Sequence, residues 1–216
     1  MIMLKIWGRA SSLSVQRVMW LVDELGLPYE MVPAGGSFGG LDRTEFRRMN
    51  PQGRIPVIVD GGEPIWESHT ILRYLAARHE TAGFWIASPA ARAGMEKWMD
   101  WSLATLQPAL MGGVFRGLVR TPAPQRNENL LREALDRTVA GMRILDAALE
   151  ERSYLCGDVL SLADIAIGCM LFRYYTMPIE QPDLPHLRNW YDRLRERPAY
   201  RRHVMVPYDD LWGAGG

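Results

Sequence analysis

The stretch that decides the fold is Asn-Pro-Gln-Gly-Arg-Ile-Pro at residues 50–56, which runs directly into Val57-Ile58-Val59. Two prolines around a glycine, placed just before an apolar run, predict a rigid turn that enters a β-strand. A cis Ile55–Pro56 bond is one possibility, favoured only where tertiary context holds this minority form. An ordinary loop with a trans proline at a strand edge is the alternative.

A β-hairpin and a helix are predicted after this turn. Asp60-Gly61-Gly62-Glu63 has the composition of a hairpin turn and separates Val57–Val59 from Pro64-Ile65-Trp66. A helix from Ser68 to about His79 follows, with its apolar residues on one face. Ser68 stands where this helix begins and is its predicted N-cap.

Two strands and two helices are predicted before the turn. Leu4–Trp7 and Tyr29–Val32 have the pattern of strands, and helical spacing runs from Val15 to Leu25. A short polar helix is expected at about Asp42–Met49. The order is therefore β-α-β-α-β-β-α, with a right-handed first crossover that makes the first two strands parallel. This is the order of a thioredoxin-like fold.

From about residue 89 onward only helical patterns remain. Helices are predicted at about 89–119, 124–151, 162–176 and 185–196. Pro108 is expected to kink the first of them. Ser161-Leu162-Ala163-Asp164 has the form of a capping box, with Asp in place of the usual Glu. We therefore predict an α/β domain at residues 1–80, a linker at 81–88 and an all-helical domain at 89–216.

Composition excludes several classes of protein. The chain has 216 residues, of which 48% are hydrophobic and 23% charged, so it is expected to be globular rather than disordered. Its 25 basic and 25 acidic residues balance, which argues against nucleic acid as a partner. Cys156 and Cys169 do not form a redox or zinc pair, so no metal is expected. No membrane span or signal peptide is predicted, which favours a cytoplasmic protein.

Two further segments of the first domain carry polar groups that could bind a ligand or take part in catalysis. Residues 9–14, Arg-Ala-Ser-Ser-Leu-Ser, lie between a strand end and a helix start. A helix N-terminus favours an anion such as a thiolate, although a serine there is often only a cap. Glu67-Ser68-His69 lies where the hairpin meets the next helix, so Ser68 caps that helix or also binds a ligand carboxylate.

Taken together, these segments resemble the glutathione S-transferase family. The strand–serine–helix opening, the Asn-Pro-x-Gly-x-Ile-Pro turn and the Glu-Ser pair look like that family's glutathione-site motifs. Residues 161–166 resemble its capping-box segment, so the similarity spans nearly the whole chain. The resemblance implies glutathione as cosubstrate, a small electrophile bound between the two domains, no metal, and a homodimer.

The same resemblance implies roles for individual residues. It implies that glutathione is bound by Arg54, Ile55, Pro56, Glu67, Ser68 and His69. The backbone of Ile55, next to a cis Pro56, would pair with the cysteinyl part, and Glu67 and Ser68 would hold the γ-glutamyl group. Arg54 would approach the glycyl end and His69 would be a weaker contact. For these last two residues a solvated surface role is the alternative.

The group that activates the thiol is expected to be a serine. Cysteine-type members of the family use a Cys in this loop, which has none, and tyrosine-type members have a Tyr near the position of Trp7. Alignment on Arg17 places the catalytic hydroxyl on Ser12, with Ser11 and Ser14 as alternates. Ser14 is also a candidate for the helix N-cap. A hydroxyl that donates a hydrogen bond to sulfur favours the thiolate.

The implied activity is the transfer of glutathione to a small electrophile. Two alternatives are glutathione-dependent reduction of disulfides or peroxides, and a non-catalytic binding protein on the same scaffold. Zeta-type isomerases are similar in the serine loop but have Cys after the second serine, where this chain has Leu13. Met111 and Phe115 are candidates for lining the electrophile pocket, with core packing as the alternative.

Overall fold

A four-stranded sheet organises the N-terminal part of the chain. The computed structural model describes residues 3–79 and 83–213, and its strand order is β2-β1-β3-β4. The strands are β1 (Leu4–Gly8), β2 (Tyr29–Pro33), β3 (Val57–Val59) and β4 (Ile65–Trp66). β2 is parallel to β1, while β3 is antiparallel to both β1 and β4. The predicted parallel pairing of the first two strands and the predicted hairpin are both confirmed.

Three helices complete the thioredoxin-like part. They are α1 (Leu13–Glu24), α2 (Thr44–Met49) and α3 (Ser68–His79). α1 begins beside the end of β1, where Gly8 allows a very close approach. A Cβ on Gly8 would lie 2.5 Å from a methyl group of Val15, so any larger residue would push α1 away from the strand. The predicted order of strands and helices is confirmed.

Helices make up the regular elements of the described residues 83–213. They are α4 (Pro89–Trp101), α5 (Glu128–Ala148), α6 (Leu162–Gly168), α7 (Leu171–Thr176), α8 (Pro185–Glu196) and α9 (Pro198–His203). No helix in the described part of the chain is both long and apolar enough to cross a membrane.

Three details of the helical prediction are wrong. After α4 the chain continues in π-helical form over Ser102–Leu106 and Pro108–Arg120, so Pro108 starts a π-helical segment where a kink in an α-helix was expected. α5 begins four residues later than predicted, because the side chain of Asn127 caps it by accepting from the N–H of Leu130 at 3.1 Å. The helix predicted at 162–176 is broken after Gly168, a poor helix former.

The chain divides into two compact units. The first consists of residues up to 85 together with 198–206, and the second of residues 86–197 with the residues from 207 onward. Tyr200 of α9 packs edge-on against Trp20 of α1, with 4.8 Å between the ring centres. Arg202 reaches Asp23 at 2.7 Å. Residues 81 and 82 of the predicted linker lie outside the described residues.

The predicted capping box anchors the second unit. Asp164 is completely buried and accepts hydrogen bonds from the N–H of Ser161 at 2.8 Å and from its hydroxyl at 2.6 Å. The N–H of Leu155 and the indole N–H of Trp190 donate to its other oxygen, at 2.9 and 3.1 Å. Burial raises the pKa of Asp164 to about 6, while these hydrogen bonds act in the opposite direction.

Candidate functional site

The strand register brings the three polar segments to one end of the sheet. Trp7 pairs with Val57, and Val57 pairs with Trp66. The loop that follows β1, the turn that precedes β3 and the residues that follow β4 therefore emerge side by side. These are the serine loop (residues 9–14), the turn at 50–56 and Glu67-Ser68-His69. The sequence predicted each segment separately, and the sheet register is what makes them neighbours.

Ser12 occupies the N-cap position of α1, yet its hydroxyl makes no capping hydrogen bond. Its carbonyl accepts from the N–H of Gln16 at 2.9 Å, as the first bond of the helix. The N-cap is therefore Ser12, whereas Ser14 lies inside the first turn. The Ser11 hydroxyl differs from that of Ser12, because it accepts a hydrogen bond from Arg9. Of the three serines, Ser12 best combines a helix N-terminus with an uncommitted hydroxyl.

The turn at residues 50–56 is built around the buried side chain of Asn50. Its amide donates to the carbonyl of Arg54 at 2.8 Å and accepts from the N–H of Gln52 at 3.0 Å. Gly53 has a φ of 62°, a conformation that a glycine adopts without steric cost. Asn50 was not singled out in the sequence, although a polar residue at the start of a Pro-x-Gly turn is a usable signal.

Ile55 presents its backbone at the edge of this turn. The Ile55–Pro56 bond is cis, as the family resemblance implied. No backbone hydrogen bond to the N–H or the carbonyl of Ile55 is found among the described residues. Its side chain packs against the core formed by Ala34, Phe46 and Val57. The peptide groups of Ile55 can therefore pair with a peptide-like ligand without breaking an existing bond. Arg54, next to it, is exposed.

Glu67, and not Ser68, occupies the position before the first residue of α3. Glu67 is exposed and has a φ of 69°, which is rare for a residue other than glycine. Its carbonyl accepts from the N–H of Ile71 at 2.9 Å, so Glu67 takes the cap position. Ser68 is the first residue of α3 and is buried, which corrects its assignment as the N-cap. A non-glycine residue held at positive φ is typical of functional sites.

His69, the second residue of α3, is buried, so the solvated surface role given as its alternative is wrong. It is only 2% exposed, and neither ring nitrogen has a hydrogen-bond partner among the described residues. Burial is the main reason that its pKa is lowered to about 2, and the positive charges of Arg17 and Arg73 lower it further. The imidazole is therefore neutral over the physiological range.

This burial predicts a pH dependence of stability. Between pH 6.5 and pH 2 the unfolded chain binds a proton on His69 that the folded chain does not, so the free energy of unfolding falls as the pH falls. At pH 5 the loss is about 2 kcal/mol relative to pH 7.5. Urea unfolding of the wild type and of His69→Gln at both pH values measures it. His79→Gln, at the exposed end of α3, is the matched control. Equal pH dependence in all three proteins would contradict the prediction.

An apolar cavity of about 270 Å³ lies next to the serine loop. Arg9 and Ala10 of that loop line it, together with Met19 of α1, Met31 of β2 and Val206. All of these residues belong to the first unit. The cavity was not foreseen from the sequence, because the side chains that form it come from distant positions.

Met111 and Phe115, the candidates for lining an electrophile pocket, differ from each other in burial. Phe115 is 2% exposed and is enclosed by the ring of Tyr208 and the guanidinium group of Arg173, so it belongs to the core of the second unit. Met111 is half-buried. No group of three or more His, Cys, Asp or Glu suited to a metal ion occurs among residues 3–79 and 83–213.

These observations define a thioredoxin-like protein whose polar site lies at the end of the sheet, and comparison with known proteins agrees. Residues 3–77 match the N-terminal domain of glutathione S-transferase, and residues 128–193 match its C-terminal domain. Glutathione S-transferase GstB of Escherichia coli K12 is 39% identical over 207 residues, 95% of this chain and 99% of its own. Glutathione S-transferase 3 of Zea mays is 30% identical and covers 94% of each chain.

A solved structure extends the similarity to three dimensions. The theta class glutathione S-transferase from the citrus canker pathogen Xanthomonas axonopodis pv. citri, with glutathione bound, superposes with a TM-score of 0.90. It is 40% identical, and the alignment covers 96% of this chain and 99% of that one. The present chain belongs to the glutathione S-transferase family and is an enzyme of that family. Family membership supports glutathione conjugation in general.

Proposed function

We propose that this enzyme joins glutathione to small apolar electrophiles, with Ser12 stabilising the thiolate. The observation that carries the proposal is the register Trp7–Val57–Trp66, which sets the serine loop, the backbone of Ile55 and Glu67 side by side. Glutathione is a tripeptide with a thiol at its centre and charged groups at its ends. A hydroxyl at a helix N-terminus, flanked by a peptide edge and a carboxylate, matches that distribution.

Each residue has a distinct part in this proposal. The backbone of Ile55 pairs with the cysteinyl residue of glutathione. Glu67 accepts a hydrogen bond from the ammonium group of the γ-glutamyl residue, and the Ser68 hydroxyl donates one to the carboxylate of that same γ-glutamyl residue. Arg54 attracts the glycyl carboxylate, and Ser12 donates its hydroxyl hydrogen bond to sulfur. The thiol of bound glutathione first loses its proton to solvent. The resulting thiolate then forms a C–S bond with a carbon of the electrophile as the leaving group departs from that carbon. We assign these residues to a glutathione-binding domain at 1–80, followed by the helical domain at 89–216.

The cavity beside the serine loop supports an apolar electrophile. The surface of its lining is mainly apolar, although Arg202 and His203 also line it, and Arg9 and Ala10 connect it in sequence to Ser12. A panel that contains an activated chloronitrobenzene and an alkyl hydroperoxide, each assayed with glutathione, tests the function. Conjugation faster than peroxide reduction supports the proposal. The reverse order identifies a peroxidase, and glutathione binding without either reaction identifies a binding protein.

Glu67→Ala is expected to weaken glutathione binding with little effect on the fold. The loss of a charge-assisted hydrogen bond weakens binding by roughly 10- to 100-fold. Calorimetric titration with glutathione measures this effect, and Ser68→Ala is expected to lose less because a neutral bond is removed. Glu63→Ala, an exposed acidic residue in the hairpin turn, is the matched control. Unchanged affinity in both site variants would place the γ-glutamyl group elsewhere.

The enzyme is further proposed to be a cytoplasmic homodimer. The family resemblance implies that the first domain of one subunit pairs with the helical domain of the other, with Trp98 and Trp101 in the contact. Both tryptophans are half-buried in the described chain and pack edge-on, 5.6 Å apart. Sedimentation equilibrium at micromolar concentration is expected to give twice the chain mass. A single 24.6 kDa species would count against a dimer.

A further inference from the structure

A cavity of about 330 Å³ lies at the end of the sheet opposite the proposed glutathione site. Its walls come from the start of β1, the turn before β2, the residue after β3 and the last turn of α3. The serine loop follows the other end of β1, so the two sites are separated by the length of that strand. The volume lies within the range of roughly 300–1,000 Å³ that is usual for small-molecule sites.

Apolar side chains form one part of this cavity. Leu4 and Leu75 belong to the buried core of the first unit, whereas Leu27 is half-buried and Pro28 is exposed. The cavity therefore has an apolar floor in the core and an edge that is open to solvent. A small branched apolar group that enters it loses contact with water, which favours binding.

Two charged side chains of opposite sign share the cavity with these apolar residues. Asp60 follows β3, and its side chain is only 18% exposed, while that of Arg78 is 65% exposed. The Nε atom of Arg78 lies 4.0 Å from Oδ2 of Asp60, which is longer than a hydrogen bond. Arg78 stands three residues after Leu75 on α3, so both side chains lie on the same face of that helix.

The carboxylate of Asp60 is held by α3 and not by its own turn. Tyr74 donates its hydroxyl to Oδ2 at 3.0 Å, and Arg78 approaches the same oxygen. An Asp that begins a turn often accepts from the backbone N–H two residues further on, but no such bond is found among residues 3–79 and 83–213. Oδ1 of Asp60 therefore has no hydrogen-bond partner in the described part of the chain and is left for a ligand.

We propose that this cavity binds an apolar α-amino acid, of which L-leucine is the model. The ammonium group of the ligand donates to Oδ1 of Asp60, and its carboxylate pairs with the guanidinium group of Arg78. Its side chain lies against Leu4, Leu27 and Leu75. A ligand with both charges suits a lining that holds one of each, because a ligand of a single charge would meet one group that repels it. The proposal is independent of glutathione transfer, since no residue of the proposed glutathione site lines the cavity.

NMR titration of the ¹⁵N-labelled full-length chain with L-leucine tests the proposal. The backbone amide signals of Leu27 and Gly61, beside the cavity, should shift saturably, with a dissociation constant of about 1 mM for a ligand of this size. The signals of the serine loop should stay in place, and excess glutathione should leave the dissociation constant of leucine unchanged. Competition between leucine and glutathione would place leucine in the glutathione site and overturn the proposal.

Three analogues of leucine test each contact on the unchanged protein. Leucinamide lacks the carboxylate, 4-methylpentanoate lacks the ammonium group and glycine lacks the apolar side chain. Each should bind by roughly tenfold or more weakly than leucine, because each loses one of the three contacts. Affinity equal to that of leucine for any one of them would contradict the corresponding contact and overturn the proposal.

Two variants test the charged residues of the cavity. Asp60→Asn and Arg78→Gln should each weaken leucine binding by about tenfold, because a charged hydrogen-bond partner is lost. Asn keeps an oxygen that can accept from Tyr74, and thermal unfolding checks that the variant is folded. Asp42→Asn and Arg48→Gln, exposed residues of the first unit outside the lining, are the matched controls. Wild-type affinity in Asp60→Asn, or an equal loss in the controls, would overturn the proposal.

Discussion

Ser12→Ala is expected to reduce the conjugation rate by roughly 10- to 1,000-fold while glutathione affinity stays nearly intact. In the proposed mechanism the hydroxyl hydrogen bond favours the charged form of the bound thiol, so its loss should raise the pKa of that thiol. A smaller fraction is then thiolate at neutral pH. The rate should partly recover at high pH, where solvent removes the proton without help from the protein. Measurement of the rate against pH shows whether the profile shifts.

The neighbouring serines provide the controls for this experiment. Ser11→Ala and Ser14→Ala should keep the wild-type pH profile, and Ser12→Thr, which keeps a hydroxyl, should retain more activity than Ser12→Ala. If Ser11→Ala or Ser14→Ala shifts the profile instead, the mechanism holds and the position is wrong. If none of the three alanine variants shifts it, the serine mechanism fails and the backbone N–H groups at the start of α1 become the leading candidate.

Asp164→Ala is expected to lower the free energy of unfolding by about 4 kcal/mol, because it leaves buried donors without partners. The N–H groups of Leu155 and Ser161 and the indole of Trp190 all donate to this carboxylate. Chemical denaturation followed by tryptophan fluorescence measures the change. Asp164→Asn keeps one acceptor oxygen and should lose less.

An exposed aspartate separates this effect from a general loss of charge. Asp158→Ala, in the turn before the capping box, should change the free energy of unfolding by no more than about 0.5 kcal/mol. A similar loss in Asp158→Ala and Asp164→Ala would contradict the role of the buried hydrogen bonds.

The strands and most helices could be predicted because their apolar spacing is local. The capping box was predicted as well, since all of its residues lie within four positions. The π-helical stretch could not be predicted. Its apolar spacing indicates a helix, but it does not indicate which carbonyl each backbone N–H bonds. The grouping of residues 198–206 with the first unit also could not be foreseen. It depends on contacts such as Tyr200 with Trp20, which lie far apart in sequence.

For the candidate site, the sequence predicted which segments matter and the structure supplied their surroundings. Ser12 was chosen over Ser11 and Ser14 by alignment, and the structure adds that its hydroxyl is not used as a cap. The positive φ of Glu67 could not be predicted from the sequence, because it depends on how the turn closes, whereas Asn50 stood in the quoted turn motif without being given a role. The burial of His69 likewise follows from helix packing rather than from its motif.

Because the candidate site depends on the pair Trp7–Val57, and not only on the local hairpin pair Val57–Trp66, it forms only when β1 and β3, which lie far apart in the chain, have met. Contacts of high sequence separation form late and at an entropic cost. A ligand that requires them all cannot bind a partly folded chain, and by mass action it draws the population toward the folded state. At a glutathione concentration 100 times its dissociation constant, this linkage adds about 2.7 kcal/mol to the free energy of unfolding. Glutathione, as the proposed cosubstrate, is thus expected to stabilise the folded form of the domain proposed to bind it.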